Sequence, residues 1–219
     1  MYIQYKGSNM IVGIAGFIGS GKDTIADYLI TFKGFKRMSY AGPLKDAVAS
    51  IFNWDREMLE GTTKSSREWR DQVDPWWAER LDIRHLTPRW VLQQWGTEVG
   101  RRAFHDDIWI ASIENKLRMA KDNIVISDCR FPNELKSIKR LGGITIRVSR
   151  GDNPPWHDAA LTYSKGYYAQ GYPEAMKILE SFNVHASEYS SVGLEYDHHI
   201  ENNGIIDELH RKIDSIVNL

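Results

Sequence analysis

The sequence predicts an α/β protein with a mostly parallel sheet covered by helices on both faces. Three observations predict it. Short apolar runs at 11–15, 124–126 and 144–148 have the length and composition of buried strands. Segments with apolar residues at helical spacing alternate with those runs, the pattern of a parallel sheet. At 10–29, MIVGIAGFIGSGKDTIADYL, an apolar strand passes through a glycine-rich turn into a helix whose apolar stripe is Ile25, Ala26, Tyr28 and Leu29.

After that first helix, 35–40 is a short strand candidate, and Ala41-Gly42-Pro43 leads into a helix from Leu44 to about Phe52, Pro43 suiting its first turn. Residues 53–86 mix acids and bases, hold four tryptophans, and read as a helical excursion over the sheet. Thr87-Pro88 starts an amphipathic helix with Val91, Leu92, Trp95 and Val99 on one face, and another helix spans 108–119. The strand at 123–128 ends in an acid. A helix at 131–141 stops at Gly142-Gly143, and 144–148 is the next strand. From Gly151 to about Tyr189 the chain turns rich in Tyr, Gly and Pro, with one helical segment around 175–182, and reads as a poor core and a good flap. A strand at 196–201, a turn at Asn202-Asn203-Gly204 and an amphipathic helix at 205–217 close the chain.

Length and composition narrow the classes. With 219 residues, 42% hydrophobic and 26% charged, the expectation is one globular α/β domain, 1–219, interrupted by insertions at about 53–86 and 151–190. A net charge of −1 gives no global pull toward nucleic acid or a membrane, so any phosphate-binding surface is a local cluster of Lys and Arg. The single Cys129 excludes an internal disulfide and fits a reducing cytoplasm. No signal-peptide pattern or run of membrane-spanning length is present, so a cytoplasmic protein is expected, in the host cytoplasm if the chain is viral. The sequence does not specify the oligomeric state, and a homodimer is compatible with it.

The loop at 16–24 carries the first chemistry. Glycines at 16, 19 and 21 allow a tight turn in which several N–H groups face one anion, and the helix N-terminus adds its dipole. Lys22 is placed to reach the β- and γ-phosphates of a nucleoside triphosphate. Where the G-x-x-x-x-G-K-[ST] pattern has a hydroxyl residue for Mg²⁺, this chain has Asp23, with Thr24 next.

Ligands of parallel α/β sheets bind beyond the carboxyl ends of the strands, where Lys45, Asp128, Arg130, Arg150 and the 202–204 turn are expected. Asp128 closes an apolar strand as a Walker B acid does, which suits it to hold Mg²⁺ through water or to orient an acceptor; capping the helix that begins at Phe131 is the alternative. Arg130 offers a planar fork to a phosphate, or a salt bridge to Glu134. Cys129 reads as a small buried filler. His198 and His199, adjacent in a strand, point to opposite faces and cannot share a metal. Trp69, Trp76 and Trp77 read as core or flap packing, with walls of a base pocket as the alternative.

GSGKDTIADYL at 19–29, AGPLKDA at 41–47, LQQWGTEVGR at 92–101 with DIWI, SDCRFPNE at 127–134, HASE at 185–188 and YDHHIENNGIIDEL at 196–209 stand in this order along the chain. With that set the sequence resembles the deoxynucleoside monophosphate kinases of tailed phages, within the P-loop kinases. The resemblance implies a three-layer α/β/α P-loop kinase fold with helical monophosphate-binding (53–86) and lid (151–190) segments. It implies transfer of the ATP γ-phosphoryl group to a deoxynucleoside 5′-monophosphate (dNMP), giving ADP and a dNDP, with Mg²⁺ as cofactor.

By the same resemblance Gly19, Gly21, Lys22, Asp23 and Thr24 hold the ATP phosphates, Thr24 lying nearest Mg²⁺, and the turn at Asn202 and Gly204 lies against adenine. Leu44, Lys45, Arg89, Gly96, Thr97, Trp109, Asp128, Arg130 and Glu134 surround the monophosphate, with a further contact from Arg67 or Arg70. Lys22, Asp128 and Arg130 are the expected catalytic group. The partners are then ATP and dNMP, with no direct nucleic acid or membrane binding. A P-loop kinase of another small metabolite, of the dephospho-coenzyme A or gluconate type, and a non-catalytic nucleotide-binding protein are the alternatives.

Overall fold

The computed structural model describes residues 9–217. In chain order the elements are β1 (Ile11–Gly16), α1 (Lys22–Lys33), β2 (Lys36–Met38), α2 (Gly42–Phe52), a 3₁₀ turn (Met58–Glu60), α3 (Lys64–Arg70), α4 (Pro75–Leu81) and α5 (Pro88–Gln93). A π-helix (Gln94–Phe104), α6 (Ile108–Leu117), β3 (Ile124–Ile126), α7 (Pro132–Arg140) and β4 (Ile144–Ser149) follow. The chain ends with α8 (His157–Ser164), α9 (Tyr172–Ser181), α10 (Ala186–Tyr189), β5 (His198–Glu201) and α11 (Ile206–Val217). Two compact units result, one made of Met1–Met38 and Arg118–Leu219, the other of Ser39–Leu117. The segment 53–86 falls wholly within the second unit and 151–190 wholly within the first.

The first unit is built on one five-stranded sheet in the order β2-β3-β1-β4-β5, parallel throughout. Alternation along β1 decides what each face buries. Val12 and Ile14 join Val125, Ile146 and Val148 beneath Ile25 and Leu29 of α1 and Leu209 and Ile213 of α11, all essentially without exposure. Each such aliphatic side chain contributes about 1.5–3 kcal/mol through burial. On the opposite face Ile138 of α7 approaches β1 so closely that a Cβ at Gly13 would lie 2.9 Å from its Cγ1. With α1 and α11 on one side and α7 on the other, the sheet is the middle of three layers. β1 lies between β3 and β4, so its carboxyl end opens at the point where successive connections leave in opposite directions, where α/β sheets bind ligands.

The expectation of a poorly packed flap with one helix after Gly151 is corrected by the structure. Three helices occupy the segment and share a core of Ala159, Ala160, Ala175, Leu179, Tyr189 and Val192. Small alanines let α8 and α9 approach, a signal masked by the Tyr and Gly content around them. Loop residue Phe17 packs against that core, its ring edge-on to Trp156 at 5.4 Å.

In the second unit, Phe52 stacks on Trp54 at 4.5 Å and meets Trp77 at 4.7 Å. The indole N–H of Trp54 donates to Asp74 (2.8 Å) and that of Trp77 to the Phe52 carbonyl (3.1 Å). Asp74 also caps α4 by accepting from the Trp77 N–H. Trp69 and Trp77 therefore pack in the core as read from sequence, whereas Trp76 is 61% exposed.

The helix begun at Thr87 does not continue as an α-helix through Val99. After Gln93 the winding changes to π, seen at its end in the His105 N–H bonding to the Gly100 carbonyl five residues back. The wider turn rotates Val99 off the apolar face, leaving it 47% exposed. Among the described residues no helix is long and apolar enough to cross a membrane.

Candidate active site

The loop between β1 and α1 takes the shape its glycines permit. Gly19 and Gly21 have φ of +80° and +100°, a region costly for any residue with a Cβ. Ser20 N–H closes the turn onto the Phe17 carbonyl at 3.1 Å, and Ile25 N–H begins the helix on the Gly21 carbonyl. The Ser20 hydroxyl is buried with no hydrogen-bond partner among the described residues, a polar group that gains from a ligand oxygen.

At the mouth of this loop Lys22, Ser127, Asp128, Arg130, Ser187 and Glu188 line one cleft. Parallel pairing of β1 with β3 sets their placement, because it brings the end of β3 beside the start of the loop. Lys22 Nζ lies 3.1 Å from Asp23 Oδ2, while Asp23 Oδ1 accepts from the Ser127 hydroxyl at 2.9 Å. Burial works against ionisation of Asp23, yet the charge and hydrogen bond of Lys22 and the bond from Ser127 outweigh it and hold the carboxyl below its ordinary value.

Arg130 does not pair with Glu134 through its guanidinium. It donates to Glu188 Oε1 at 2.8 Å and to the Ser187 hydroxyl at 3.3 Å. Glu134, 2% exposed, instead accepts from the backbone N–H groups of Arg130 (2.7 Å) and Phe131 (3.0 Å), fixing the turn from which Arg130 projects. Phe131, not Asp128, is the N-cap residue of α7. Cys129 is fully buried, and burial pushes its thiol well up from its usual value, as befits a filler. Asn202 is buried and donates to the Ser20 carbonyl at 2.9 Å, and Asn203 Oδ1 accepts from the Gly151 N–H at 2.8 Å. His198 is part-buried and His199 exposed on the alternating faces of β5.

Of the remaining predicted residues, several gather within the second unit. Lys45 pairs with Glu60, which it shares with Arg56, and Arg89 pairs with Asp71. Burial opposes the ionisation of Glu60, but Lys45 and Arg56 overcome it and keep the carboxyl low. Leu44 is core, lying so close to Gly96 that a Cβ there would sit 2.9 Å from its Cδ2. Trp109 donates its indole N–H to the Gly96 carbonyl (2.9 Å) and its ring fills the space at Gly100, so the motif glycines of the π-helix are seats for Leu44 and Trp109. Thr97 is part-buried on the same π-helix.

Arg67 and Arg70 differ sharply. Arg67 is exposed and donates to the Thr62 carbonyl at 3.0 Å. Arg70 lies across Gly61, has a buried Nε without a partner and reaches only the Leu59 carbonyl at 3.4 Å among the described residues. Burial, then the charge of Arg89, pushes its guanidinium below the ordinary value.

Sequence reasoning missed Ser127 as the partner of Asp23 and Glu188 as the partner of Arg130. The HASE run held the second signal, since His185 caps α10 and thereby presents Ser187 and Glu188.

A strand that ends in an anion cradle, beside a strand that ends in an acid and a cation, meets the needs of phosphoryl transfer, and fold and site together place this chain among the P-loop kinases. A mimivirus protein named deoxynucleotide monophosphate kinase (Acanthamoeba polyphaga mimivirus) is 34% identical over 155 residues, covering 64% of this chain and 74% of the relative. The deoxynucleoside-5′-monophosphate kinase of Escherichia phage T5 is 28% identical over 177 residues, 58% of this chain and 70% of that protein. The chain belongs to the deoxynucleotide monophosphate kinase family. Among solved structures, dephospho-CoA kinase from Campylobacter jejuni aligns over 96% of each chain at 13% identity with a TM-score of 0.43. No protein-family model matches the sequence.

Proposed function

We propose that this protein transfers the γ-phosphoryl group of ATP to the 5′-phosphate of a deoxynucleoside monophosphate, releasing ADP and the diphosphate. The observation that carries the reading is the cleft in which Lys22, Asp128 and Arg130 meet at the ends of β1 and β3. Two cations beside an anion cradle suit a reaction between two phosphates that repel each other. The acceptor is already an anionic oxygen, so alignment and charge neutralisation matter more than a general base.

Both cations carry carboxylate partners, Lys22 with Asp23 and Arg130 with Glu188. Incoming phosphate oxygens take over from those carboxylates, so neither charge is stranded at any stage. Lys22 then binds the triphosphate, and Arg130 offers its planar fork to the transferring group. Among the described residues no three His, Cys, Asp or Glu side chains converge on one point. The Asp128 carboxylate in the cleft and the Thr24 hydroxyl on α1 are oxygen donors and fit Mg²⁺, which keeps several waters and binds largely through substrate phosphates. Thr24 on the first turn of α1 would hold it, with Asp128 reaching it through water; when bound, it supplies charge neutralisation. For the acceptor's phosphate we assign Lys45, Arg89 and, of the two arginines left open by sequence, Arg70.

A coupled assay of ADP release over a panel of dNMPs, NMPs and hydroxyl-bearing metabolites tests the reading. Turnover is expected with at least one dNMP, and Lys22→Ala should abolish it while leaving thermal stability unchanged. Absence of turnover with every dNMP would overturn the proposal.

A further inference from the structure

The 202–204 turn was expected to touch adenine, yet the Asn202 side chain is turned inward. It is 8% exposed, and its Nδ2 donates to the Ser20 carbonyl at 2.9 Å across 182 positions of sequence. Its own backbone is tied to the sheet through a bond from the Asn202 N–H to the Ser149 carbonyl at 2.8 Å. Asn202 is therefore a rigid strut from the end of β5 to the phosphate loop.

A second observation concerns Gly21. A Cβ at that position would lie 2.3 Å from Asn202 Nδ2, so the amide fills the space any other residue would need. The peptide linking Ser20 to Gly21 is planar and trans, which makes the Ser20 C=O and the Gly21 N–H point in opposite directions. Pinning the carbonyl from one side aims the N–H to the other. Among the described residues that N–H meets no acceptor, as expected of a donor reserved for an anion.

We propose that Asn202 is a positioning residue for the phosphates of ATP: by holding the Ser20 carbonyl it orients the Gly21 amide toward the phosphate chain, without touching the nucleotide. The inference rests on the phosphate-loop reading above and adds a part to it. Without the strut the peptide is free to rotate, and one oriented donor is lost from the cradle before any ligand arrives.

The test is calorimetric binding of ATP and of inorganic tripolyphosphate to wild type, Asn202→Ala and Asn202→Asp, with melting temperatures and steady-state kinetics alongside. Asn202→Ala should weaken ATP and tripolyphosphate by the same factor, about tenfold or more, and raise KM for ATP while leaving KM for the dNMP unchanged. Asn202→Asp sets a carboxylate against the carbonyl oxygen and should weaken both ligands further. Should either variant fail to fold, Asn202→Gln, which retains the donor one bond out of place, should show an intermediate loss. A lowered melting temperature with unchanged affinities would overturn the inference in favour of a purely structural strut. Loss of ATP but not tripolyphosphate binding would overturn it in favour of an adenine contact. Wild-type protein that binds neither ligand would overturn the phosphate-loop reading and this inference together, whereas intact binding in the variants would overturn this inference alone.

Discussion

Arg70 shows how a residue's surroundings separate it from a neighbour that the sequence makes its equal. Both it and Arg67 lie on α3, three positions apart, and spacing alone gives no preference. Burial with an unfilled donor does: Asp71 and Glu60 act on Arg70 only through their charge, and a guanidinium taken partly out of water with its Nε–H unmatched gains the most from a phosphate. Arg70→Lys retains the charge and loses the fork, so KM for the dNMP should rise by about tenfold, or ~1.4 kcal/mol. Arg67→Lys should leave it within about twofold. A larger effect at Arg67 in steady-state kinetics would reverse the assignment. That Lys22, Asp128 and Arg130 share one cleft was legible because each sits on a motif at a strand end. Glu188 as the partner of Arg130 was not, since 58 positions separate them and only the packing of α10 brings them together.

At the scale of elements, strands were legible and the winding of one helix was not. Apolar runs of strand length leave little choice, but α and π turns can share a pattern over a few residues, and the change after Gln93 depends on how Leu44 and Trp109 seat against Gly96 and Gly100. The edge strand β5 offers a test of local electrostatics. Asp197, just before it, accepts from the Thr145 N–H (2.8 Å) and hydroxyl (2.7 Å) on β4. Burial favours its protonation, but those bonds and the charge of Lys139 win and lower its pKa in the folded state. Its contribution to stability is therefore complete above the ordinary aspartate value of about 3.9 and disappears as pH falls through the folded-state value. Urea midpoints from pH 7 to pH 3 should fall more steeply for wild type than for Asp197→Asn, which starts lower; parallel curves would show that Asp197 contributes nothing to acid sensitivity. The packed core of α8 and α9 also narrows where a lid, expected over 151–190, would move. Their amides should resist hydrogen exchange without nucleotide, whereas the connection at 165–171, where Tyr168 is 97% exposed, should gain protection only with ATP and dNMP together. Equal protection of that connection in all states would argue against closure.

For the whole molecule, composition and alternation were enough to give the layered sheet, because burying both faces of a parallel sheet requires helices between the strands. They were insufficient to reveal that Ser39–Leu117 forms a compact unit with its own tryptophan-rich core, since those residues show no strand pattern and their contacts close only after folding. A net charge of −1 likewise conceals the cations: Lys22 and Arg130 line one cleft of the first unit, while Lys45, Arg70 and Arg89 belong to the second. Whether Lys22 and Arg130 serve transfer between two phosphates is tested most directly by following the phosphorus. With γ-labelled ATP and a dNMP, the label is predicted in the β-phosphate of the dNDP, in amounts equal to the ADP formed and absent with Lys22→Ala. Label recovered only as inorganic phosphate, or on a hydroxyl acceptor with every dNMP left untouched, would contradict it.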